Sequence, residues 1–203
     1  MKHHGDLEGS AVAIGVALTA DQVARLERFE DLLAARAVPL GLISSRDQAR
    51  LRSRHVLDSL RSAAVVEVGD AVAYDLGSGA GLPGIVVAIA RPTLEVALVE
   101  IRRKAVAFLE LAVENLALAN VSVWAGKLED IRDPADLCFA RGLAPLEECW
   151  NLARGLIRPG GRLVYFAGRH SRLAETLPGS PSVSLLESPV LASSGPLVIM
   201  ARQ

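Results

Sequence analysis

A glycine-rich stretch between Asp75 and Gly84 carries the residues whose types and spacing most clearly indicate chemistry. It follows a short apolar run, and it contains Pro83, a residue suited to the first turn of a helix. Glycines let the backbone turn tightly and let a ligand approach without interference from a Cβ atom. Glu100 ends the next apolar run and can accept hydrogen bonds from ribose hydroxyls. The pattern therefore predicts a nucleotide-containing ligand held between a loop and an acid.

Two ligand classes fit the spacing of these glycines. Gly79, Gly81 and Gly84 satisfy the G-x-G-x-x-G pattern of dinucleotide-binding proteins. Starting from Asp75, two residues before Gly77, the same stretch satisfies the acid-x-G-x-G-x-G signature of S-adenosylmethionine methyltransferases. An acid at that position can attract the ammonium or sulfonium group of S-adenosylmethionine, whereas it would repel a pyrophosphate. The sequence favours the methyltransferase interpretation over a nucleotide-binding oxidoreductase.

Two further segments follow apolar runs, and the ligands of doubly wound sheets bind beyond the carboxyl ends of the strands. After the third run, a backbone amide near Leu128 and an acid at Glu129 or Asp130 are placed to hold an adenine ring. The alternative for this segment is a solvated turn. Arg141 follows the fourth run and would point into the same crevice, with a surface salt bridge as the alternative.

The elements that must position these residues alternate in type. Plausible helices at Pro83–Ala90, Lys104–Leu118 and Leu146–Leu156 separate apolar runs that read as strands. The predicted strands are Val72–Leu76, Val96–Glu100, Val121–Trp124, Leu137–Ala140, Leu163–Ala167, Val183–Leu186 and Leu197–Ala201. This alternation predicts an α/β fold with a Rossmann-like, mainly parallel, doubly wound sheet. Because no helix separates the last two runs, we expect an antiparallel C-terminal edge.

Helical patterns precede the first strand. Thr19 and Gln22 form a capping box, and the helix that they open should end near Ala37, because Pro39 disfavours helical geometry just before it. Ser45–Gln48 repeats the capping pattern and predicts a second helix. We therefore expect an N-terminal extension and helical cap over residues 1–66, followed by the cofactor-binding domain over residues 67–203.

Composition sets limits on function. The chain has 203 residues, of which 51% are hydrophobic and 22% charged, and its net charge is −1. This excludes a polycation, so binding to nucleic acid must use a local basic face. The two cysteines, Cys138 and Cys149, match no common zinc pattern and are too few for a disulfide framework. No apolar run approaches the roughly 18 residues of a membrane span, and we expect a cytoplasmic protein without a signal peptide.

The segment from Gln22 to Gly168 resembles the GidB/RsmG family of 16S ribosomal RNA guanine-N7 methyltransferases. Its most specific piece is Gly77–Ile85, which is far narrower than a generic glycine loop, and Arg54–Leu60 and Arg141–Leu146 fall in the expected order. The resemblance implies a class I methyltransferase fold, S-adenosyl-L-methionine as cofactor, and methylation of N7 of a single guanine in the small ribosomal subunit.

The resemblance also implies roles for individual residues. Arg141 would sit where the cofactor meets the target base and orient the reaction; guanine N7 carries a free lone pair, so no general base and no metal are expected. Replacement of Arg141 by alanine is predicted to cause a large loss of methyl transfer with the fold intact. The implied cofactor contacts are Asp75, Gly77, Gly79, Gly81, Leu82, Glu100, Leu128, Glu129 and Arg141.

Arginines are the candidates for contact with RNA phosphates. Arg169 and Arg172 stand near Ala167, where many relatives of this family have a lysine, and can replace its charge. The predicted RNA-binding residues are Arg54, Arg102, Arg103, Arg169 and Arg172. His55 is predicted to pack between cap and sheet.

The expected partner is 16S ribosomal RNA or a small-subunit particle, and the expected state is a monomer. Two other functions stay open at this point. One is a methyltransferase of the same fold that acts on another RNA or a small molecule. The other is a cofactor-binding module without turnover that assists ribosome assembly.

Overall fold

Seven strands form a single mixed sheet. The computed structural model describes residues 6–169, 177–187, 190–191 and 194–203. The order across the sheet is β3-β2-β1-β4-β5-β7-β6, and the first five strands run parallel while β7 is antiparallel to both of its neighbours. The strands are β1 (Val72–Leu76), β2 (Glu95–Glu100), β3 (Val121–Ala125), β4 (Ala135–Ala140), β5 (Ile157–Phe166), β6 (Ser182–Leu186) and β7 (Leu197–Ala201). The predicted parallel sheet with an antiparallel C-terminal edge is confirmed.

The longest strand, β5, begins earlier than its apolar run predicts. Ile157 pairs with Ala135, and the register then shifts before Arg162 pairs with Leu137. Pro159 and Gly160, which lie between these pairs, are exposed and precede the apolar run, so hydrophobicity does not predict that they belong to the strand. Pairing with β4, and not composition, therefore sets the start of this strand.

The N-terminal cap begins with two helices, α1 (Leu7–Ala13) and α2 (Ala20–Leu32). The capping box is confirmed, because Gln22 N donates to Thr19 Oγ1 at 3.3 Å and Thr19 N donates to Gln22 Oε1 at 2.8 Å. A π-helical turn, Leu33–Ala37, continues α2 and ends where the sequence predicts. Helix α1 is an element that the sequence pattern did not indicate.

The prediction of one regular helix from Ser45 is wrong. The chain instead forms a 3-10 turn (Ser45–Arg50), a π-helical turn (Leu51–Val56), the short helix α3 (Leu57–Leu60) and another 3-10 turn (Arg61–Val65). The N-cap is Ser44, whose Oγ accepts a hydrogen bond from Arg46 N at 3.3 Å. Leu51 and Val56 are both buried although they are five residues apart. That spacing suits the wider π-helical turn better than the 3.6-residue period of an α-helix.

Three helices connect the strands: α4 (Gly84–Ala90), α5 (Arg103–Leu116) and α6 (Leu146–Ala153). Helix α5 ends earlier than predicted because Ala117 adopts a left-handed conformation with φ of 49°. Helices α4 and α5 pack on one face of the sheet together with α2, and α6 packs on the other face beside β5. Among the described residues, none of the helices has the length and apolar character needed to cross a bilayer.

The cap shares a hydrophobic core with the sheet. Leu26 and Phe29 of α2 are fully buried in the same cluster as Ile85 of α4 and Leu98 of β2. A second cluster, which includes Trp150, fills the opposite face of the sheet. The cap and the sheet are therefore packed against each other by apolar contact, while the domain boundary after residue 66 stays a prediction.

Buried charge also joins the cap to the sheet. Arg61, which is 1% exposed, donates to Asp58 Oδ1 at 2.8 Å, to Gly195 O at 2.9 Å and to Leu186 O at 3.0 Å. These two carbonyls belong to the segment that carries β6 and leads into β7. One arginine of the cap therefore ties α3 to the C-terminal hairpin.

We expect Arg61→Ala to lower the free energy of unfolding by about 3 kcal/mol, because it leaves one oxygen of the buried Asp58 carboxylate and two carbonyls without their donor. Arg50→Ala is a matched control, since Arg50 also pairs with an aspartate three residues away, Asp47, but is 56% exposed. Such an exposed pair contributes about 0–1 kcal/mol. Urea unfolding of both variants measures the difference, and equal losses would contradict this account of the cap.

Candidate functional site

A crevice of about 720 Å³ lies at the carboxyl ends of the central strands. Its volume is in the range of small-molecule binding sites. Strands β1 and β4 are neighbours here, and the connections that leave them lead to opposite edges of the sheet. Ligands of doubly wound sheets bind at such a point. Its walls are formed by Gly77, Val99, Glu100, Ile101, Arg102, Gly126, Lys127, Leu128, Glu129, Asp130, Gly142, Leu143 and Leu152.

The glycine loop forms one wall. Gly77, Gly79 and Gly81 have φ values of +69°, +57° and +78°, a region that side chains disfavour. The loop is tied to β2, because Gly77 N and Ser78 N both donate to Val99 O, at 2.9 Å and 3.0 Å. Of these glycines, Gly77 lines the crevice, and a Cβ atom placed there would lie 2.8 Å from Leu143 Cδ1. The loop therefore leaves an open cradle that only glycine permits.

Asp75 supports this loop from beneath. Its side chain is buried, and its Oδ2 accepts a hydrogen bond from Gly84 N, the first residue of α4, at 3.0 Å. Leu82 is buried as well, within the hydrophobic core. Neither residue is among those that line the crevice, and the direct cofactor contact expected of each stays a prediction. Burial raises the pKa of Asp75 to about 7, although the Gly84 amide opposes the shift.

Glu100 stands at the end of β2, and its carboxylate faces the loop. Gly79 N donates to Oε2 at 3.0 Å, and the amides of Ile101 and Arg102 both donate to Oε1 at 2.9 Å. The Arg102 guanidinium adds two bonds, Nε to Oε1 at 3.2 Å and Nη2 to Oε2 at 3.0 Å. Burial alone would raise the pKa of Glu100, but these donors outweigh burial and hold the pKa below its ordinary value.

The opposite wall is the 3-10 turn Leu128–Asp130, which follows β3. Leu128 is half-buried and packs against the second core cluster, whereas Glu129 is exposed. Asp130 N donates to Lys127 O at 3.2 Å and closes the turn. Both residues predicted to flank an adenine therefore lie on the crevice wall, across from Gly77.

Arg141 lies at the end of β4, but its guanidinium is bound to the cap. Nη1 donates to Ser59 Oγ at 2.9 Å, while Nη2 donates to Arg54 O at 2.7 Å and lies 3.1 Å from Asp58 Oδ2. The guanidinium also lies 5.3 Å from the centre of the Phe166 ring. Its neighbours Gly142 and Leu143 line the crevice. Arg141 thus connects the crevice wall to the cap.

The predicted RNA-binding arginines that the structure describes are exposed near the carboxyl edge of the sheet. Arg102 and Arg103 follow β2, Arg169 follows β5, and Arg54 lies in the cap segment whose carbonyl binds Arg141. Arg54 also lies 3.3 Å from Asp47. Arg172 lies outside the described residues. Of the described members, Arg102 lines the crevice, and the other three are not among its lining residues.

Sequence patterns assign no site role to Asp58 and Ser59, which hold Arg141. The signal is weak, because an aspartate and an arginine three residues apart, such as Asp58 and Arg61, are equally typical of an exposed ion pair. The contact between Arg102 and Glu100 was also missed. Spacing does not reveal it, since the two residues are neighbours in a turn and either side chain can point to solvent.

The residues present fit the cofactor that the loop suggests. The carboxylate of Glu100 is aligned by three backbone amides, and the Gly77 cradle keeps the crevice open beside it. An aligned carboxylate suits ribose hydroxyls, and the adjoining half-buried Leu128 offers an apolar surface for a purine.

Comparisons with known proteins agree with this site. Residues 22–185 match the family described as GidB, rRNA small subunit methyltransferase G. A ribosomal RNA small subunit methyltransferase G from Kineococcus radiotolerans is 41% identical over 152 residues, covering 73% of this chain and 59% of that protein. A protein of the same name from Acidiphilium cryptum is 40% identical over 147 residues, covering 71% of this chain and 67% of that protein. The match thus spans about six tenths of the Kineococcus relative's length.

Solved structures resemble the fold at much lower identity. A SAM-dependent methyltransferase from Aquifex aeolicus superposes with a TM-score of 0.57 at 16% identity, covering 81% of this chain and 97% of that one. At this identity the likeness establishes the class I methyltransferase fold alone.

The raised pKa of Asp75 predicts a specific pH dependence of stability. In the unfolded chain this carboxyl ionises near pH 4, but in the folded chain only near pH 7. The folded state therefore holds the extra proton between these values, and its free energy of unfolding falls as the pH rises through that window. Asp75→Asn removes the titration, so we expect the stability of the wild type relative to this variant to decline from pH 5 to pH 7.

Urea unfolding at half-unit steps of pH measures this decline. Asp21→Asn is the control, because Asp21 is 72% exposed and pairs only at the surface with Arg25. Its stability relative to wild type should stay nearly level over the same range. If the stability of the wild type relative to Asp75→Asn also stayed level from pH 5 to pH 7, Asp75 would be ionised over this whole range.

Proposed function

The chain belongs to the GidB family, described as rRNA small subunit methyltransferase G, and from this premise we propose that it methylates ribosomal RNA. The proposed reaction transfers a methyl group from S-adenosyl-L-methionine to N7 of a single guanine in 16S ribosomal RNA. The observation that carries the proposal is the glycine loop facing the aligned carboxylate of Glu100 across a crevice at the carboxyl ends of β1 and β2.

The chain's own residues divide the binding of the cofactor among them. Glu100 accepts hydrogen bonds from ribose hydroxyls, and Gly77 lets the methionine part lie against the loop backbone. Leu128 and Glu129 flank the adenine. Asp75 and Leu82 act indirectly, because they fix the loop and the start of α4 from inside the protein. When bound, S-adenosylmethionine supplies an electrophilic methyl group.

The chemistry at N7 requires alignment and not proton removal. The N7 lone pair of guanine is free, so the gain in rate comes mainly from holding nucleophile and methyl group in line. His55 does not serve as a base in this proposal. Burial is the main cause that lowers the pKa of His55, to about 4, and its Nε2 is buried 3.6 Å from Asp47 Oδ2. Its neutral imidazole packs in the cap.

Arg141 acts as a positioning residue in this proposal. Both of its Nη atoms are engaged by the cap, which leaves Nε as the guanidinium's remaining donor. By holding Ser59 and Asp58 it keeps the cap beside the crevice, where the target base has to enter. An arginine suits the exocyclic oxygen of guanine or a phosphate better than N7 itself, because N7 becomes positively charged on methylation.

In this proposal exposed arginines bind the RNA substrate, and one of them, Arg102, lines the crevice. Arg54, Arg102, Arg103 and Arg169 can contact phosphates and set the docking of a structured RNA, and the proposal extends to Arg172. The chain's net charge of −1 limits free RNA affinity, so an assembled small subunit, whose shape contributes to recognition, is the proposed substrate. The proposal is a monomeric enzyme that acts in the cytoplasm, where ribosomes assemble.

The decisive experiment is transfer of labelled methyl groups from S-adenosylmethionine to small subunits from a bacterium that lacks this modification. We expect label in 16S ribosomal RNA at one guanine, with cleavage after reduction and aniline treatment reporting the N7 position. Binding of S-adenosylhomocysteine without any labelling would instead favour a cofactor-binding module without turnover. Label in another RNA would favour a methyltransferase of the same fold with a different substrate, and stabilisation of the fold by NAD would favour an oxidoreductase.

For Arg141→Ala we expect at least a tenfold loss of methyl transfer together with a loss of stability of about 2–4 kcal/mol. The loss of stability is expected because removing Arg141 leaves Asp58 and two cap carbonyls short of a donor, while the intact fold of the variant stays a prediction. Arg141→Lys should recover part of the stability, since it keeps the charge beside Asp58, but little of the activity, since lysine lacks the planar fork.

Initial rates at a temperature where every variant is folded separate the two effects. Arg154→Ala, an exposed position at the end of α6, is the control and should match the wild type in both measurements. Wild-type turnover in folded Arg141→Ala would remove Arg141 from the mechanism.

A further inference from the structure

The carboxylate of Glu100 is fully occupied in this structure. Oε1 accepts from Ile101 N, Arg102 N and Arg102 Nε, and Oε2 accepts from Gly79 N and Arg102 Nη2. A carboxylate offers about four lone-pair positions, so these five bonds leave none for a ribose hydroxyl. The group that the proposed function assigns to the cofactor is therefore already satisfied by the protein itself.

The five bonds are not equally fixed. Three come from backbone amides of the glycine loop and of the turn after β2, which the fold holds in place. The other two come from the Arg102 side chain, which is 62% exposed, whereas the Glu100 side chain is 3% exposed. Withdrawal of Arg102 into solvent leaves the three backbone amides on Glu100 and frees one acceptor position, on Oε2, for a ribose hydroxyl.

The Arg102 side chain also covers the loop. A Cβ atom built on Gly79 would lie 3.4 Å from Arg102 Nη2, so the guanidinium rests against the loop backbone. Arg102 is itself part of the crevice wall. Its guanidinium thus lies beside Gly79 and on the Glu100 carboxylate, where a ligand of Glu100 has to bind.

We propose that Arg102 exchanges partners during binding: it pairs with Glu100 in the free protein and contacts an RNA phosphate once the cofactor's ribose has replaced it on Glu100. This inference rests on the proposed function and assigns Arg102 a coupling role within it. The displaced guanidinium joins exposed Arg103 and Lys104 at the start of α5, which concentrates positive charge at the mouth of the loaded crevice. RNA affinity should then depend on the cofactor.

The first measurement concerns the protein without RNA. Titration calorimetry with S-adenosylhomocysteine should show tighter binding to Arg102→Met than to the wild type, by about two- to fivefold, because an exposed ion pair no longer competes. Methionine keeps the length of the side chain and removes its donors. Arg103→Met is the matched control on the adjacent residue and should bind with wild-type affinity. A gain in affinity is a result that damage to the fold would not produce.

The second measurement concerns unmodified small ribosomal subunits. Saturating S-adenosylhomocysteine should tighten their binding to the wild type by a similar factor, since coupling between two ligands is reciprocal. Arg102→Met should lose this dependence and bind the subunit as the unloaded wild type does. Arg103→Met should bind more weakly with or without S-adenosylhomocysteine, and its coupling should persist.

The outcomes separate this inference from the proposed function. Unchanged or weaker binding of S-adenosylhomocysteine to Arg102→Met would overturn the inference alone, as would subunit binding by the wild type that is independent of S-adenosylhomocysteine. Methyl transfer to the subunit would still support the proposed function in either case. If the wild type bound no S-adenosylhomocysteine, both would be overturned.

Discussion

One buried carboxylate, that of Asp58, fixes the relation between the cap and the sheet. It accepts from Arg61 on one oxygen and pairs with Arg141 on the other. Arg61 reaches the C-terminal hairpin, and Arg141 belongs to the end of β4 beside the crevice. Two guanidinium groups pair with one carboxylate in a buried cluster, so the cluster has a net positive charge. Backbone carbonyl oxygens stabilise that charge by accepting hydrogen bonds from the two arginines. The geometry of three separate chain segments thus depends on the side chain of one aspartate.

The crevice also depends on a single buried carboxylate, but here the charged partner is exposed to solvent. This group, Glu100, is oriented by amides that belong to the fold and is neutralised by a side chain that does not. Burial alone would raise the pKa of Glu100, the Arg102 side chain opposes burial most strongly, and the backbone amides add to that opposition while they point the carboxylate at the loop. The backbone of the site is therefore preorganised, and one side chain, that of Arg102, can move. This combination suits a pocket that has to admit a charged ligand.

Most of the fold could be predicted from the sequence because its strands are buried apolar runs between helical patterns. The glycine loop was equally clear, since three left-handed positions demand glycine. The direction of side chains was not predictable. Asp75 turns inward to Gly84 N, and Arg141 turns toward the cap, although both stand at strand ends where a ligand contact is expected. The π-helical turn Leu51–Val56 was missed because it packs against other elements of the cap, α2 and α3, and local propensity does not reveal such contacts.

The order of strands at the C-terminal edge bears on how this protein emerges from the ribosome. Strand β7 lies between β5 and β6, although β6 precedes it in the chain, and within the part of the chain that the structure describes β6 pairs with β7 alone. During synthesis β6 therefore has no neighbour until β7 has left the exit tunnel, and the Gly195 carbonyl that Arg61 binds arrives equally late. The parallel strands and the cap can collapse before then, but the ionic contact that holds the hairpin forms only afterwards. A nascent chain stalled before β7 would thus already contain the cofactor loop but would expose an unpaired edge of β5. A holdase chaperone would protect such a chain by covering that edge.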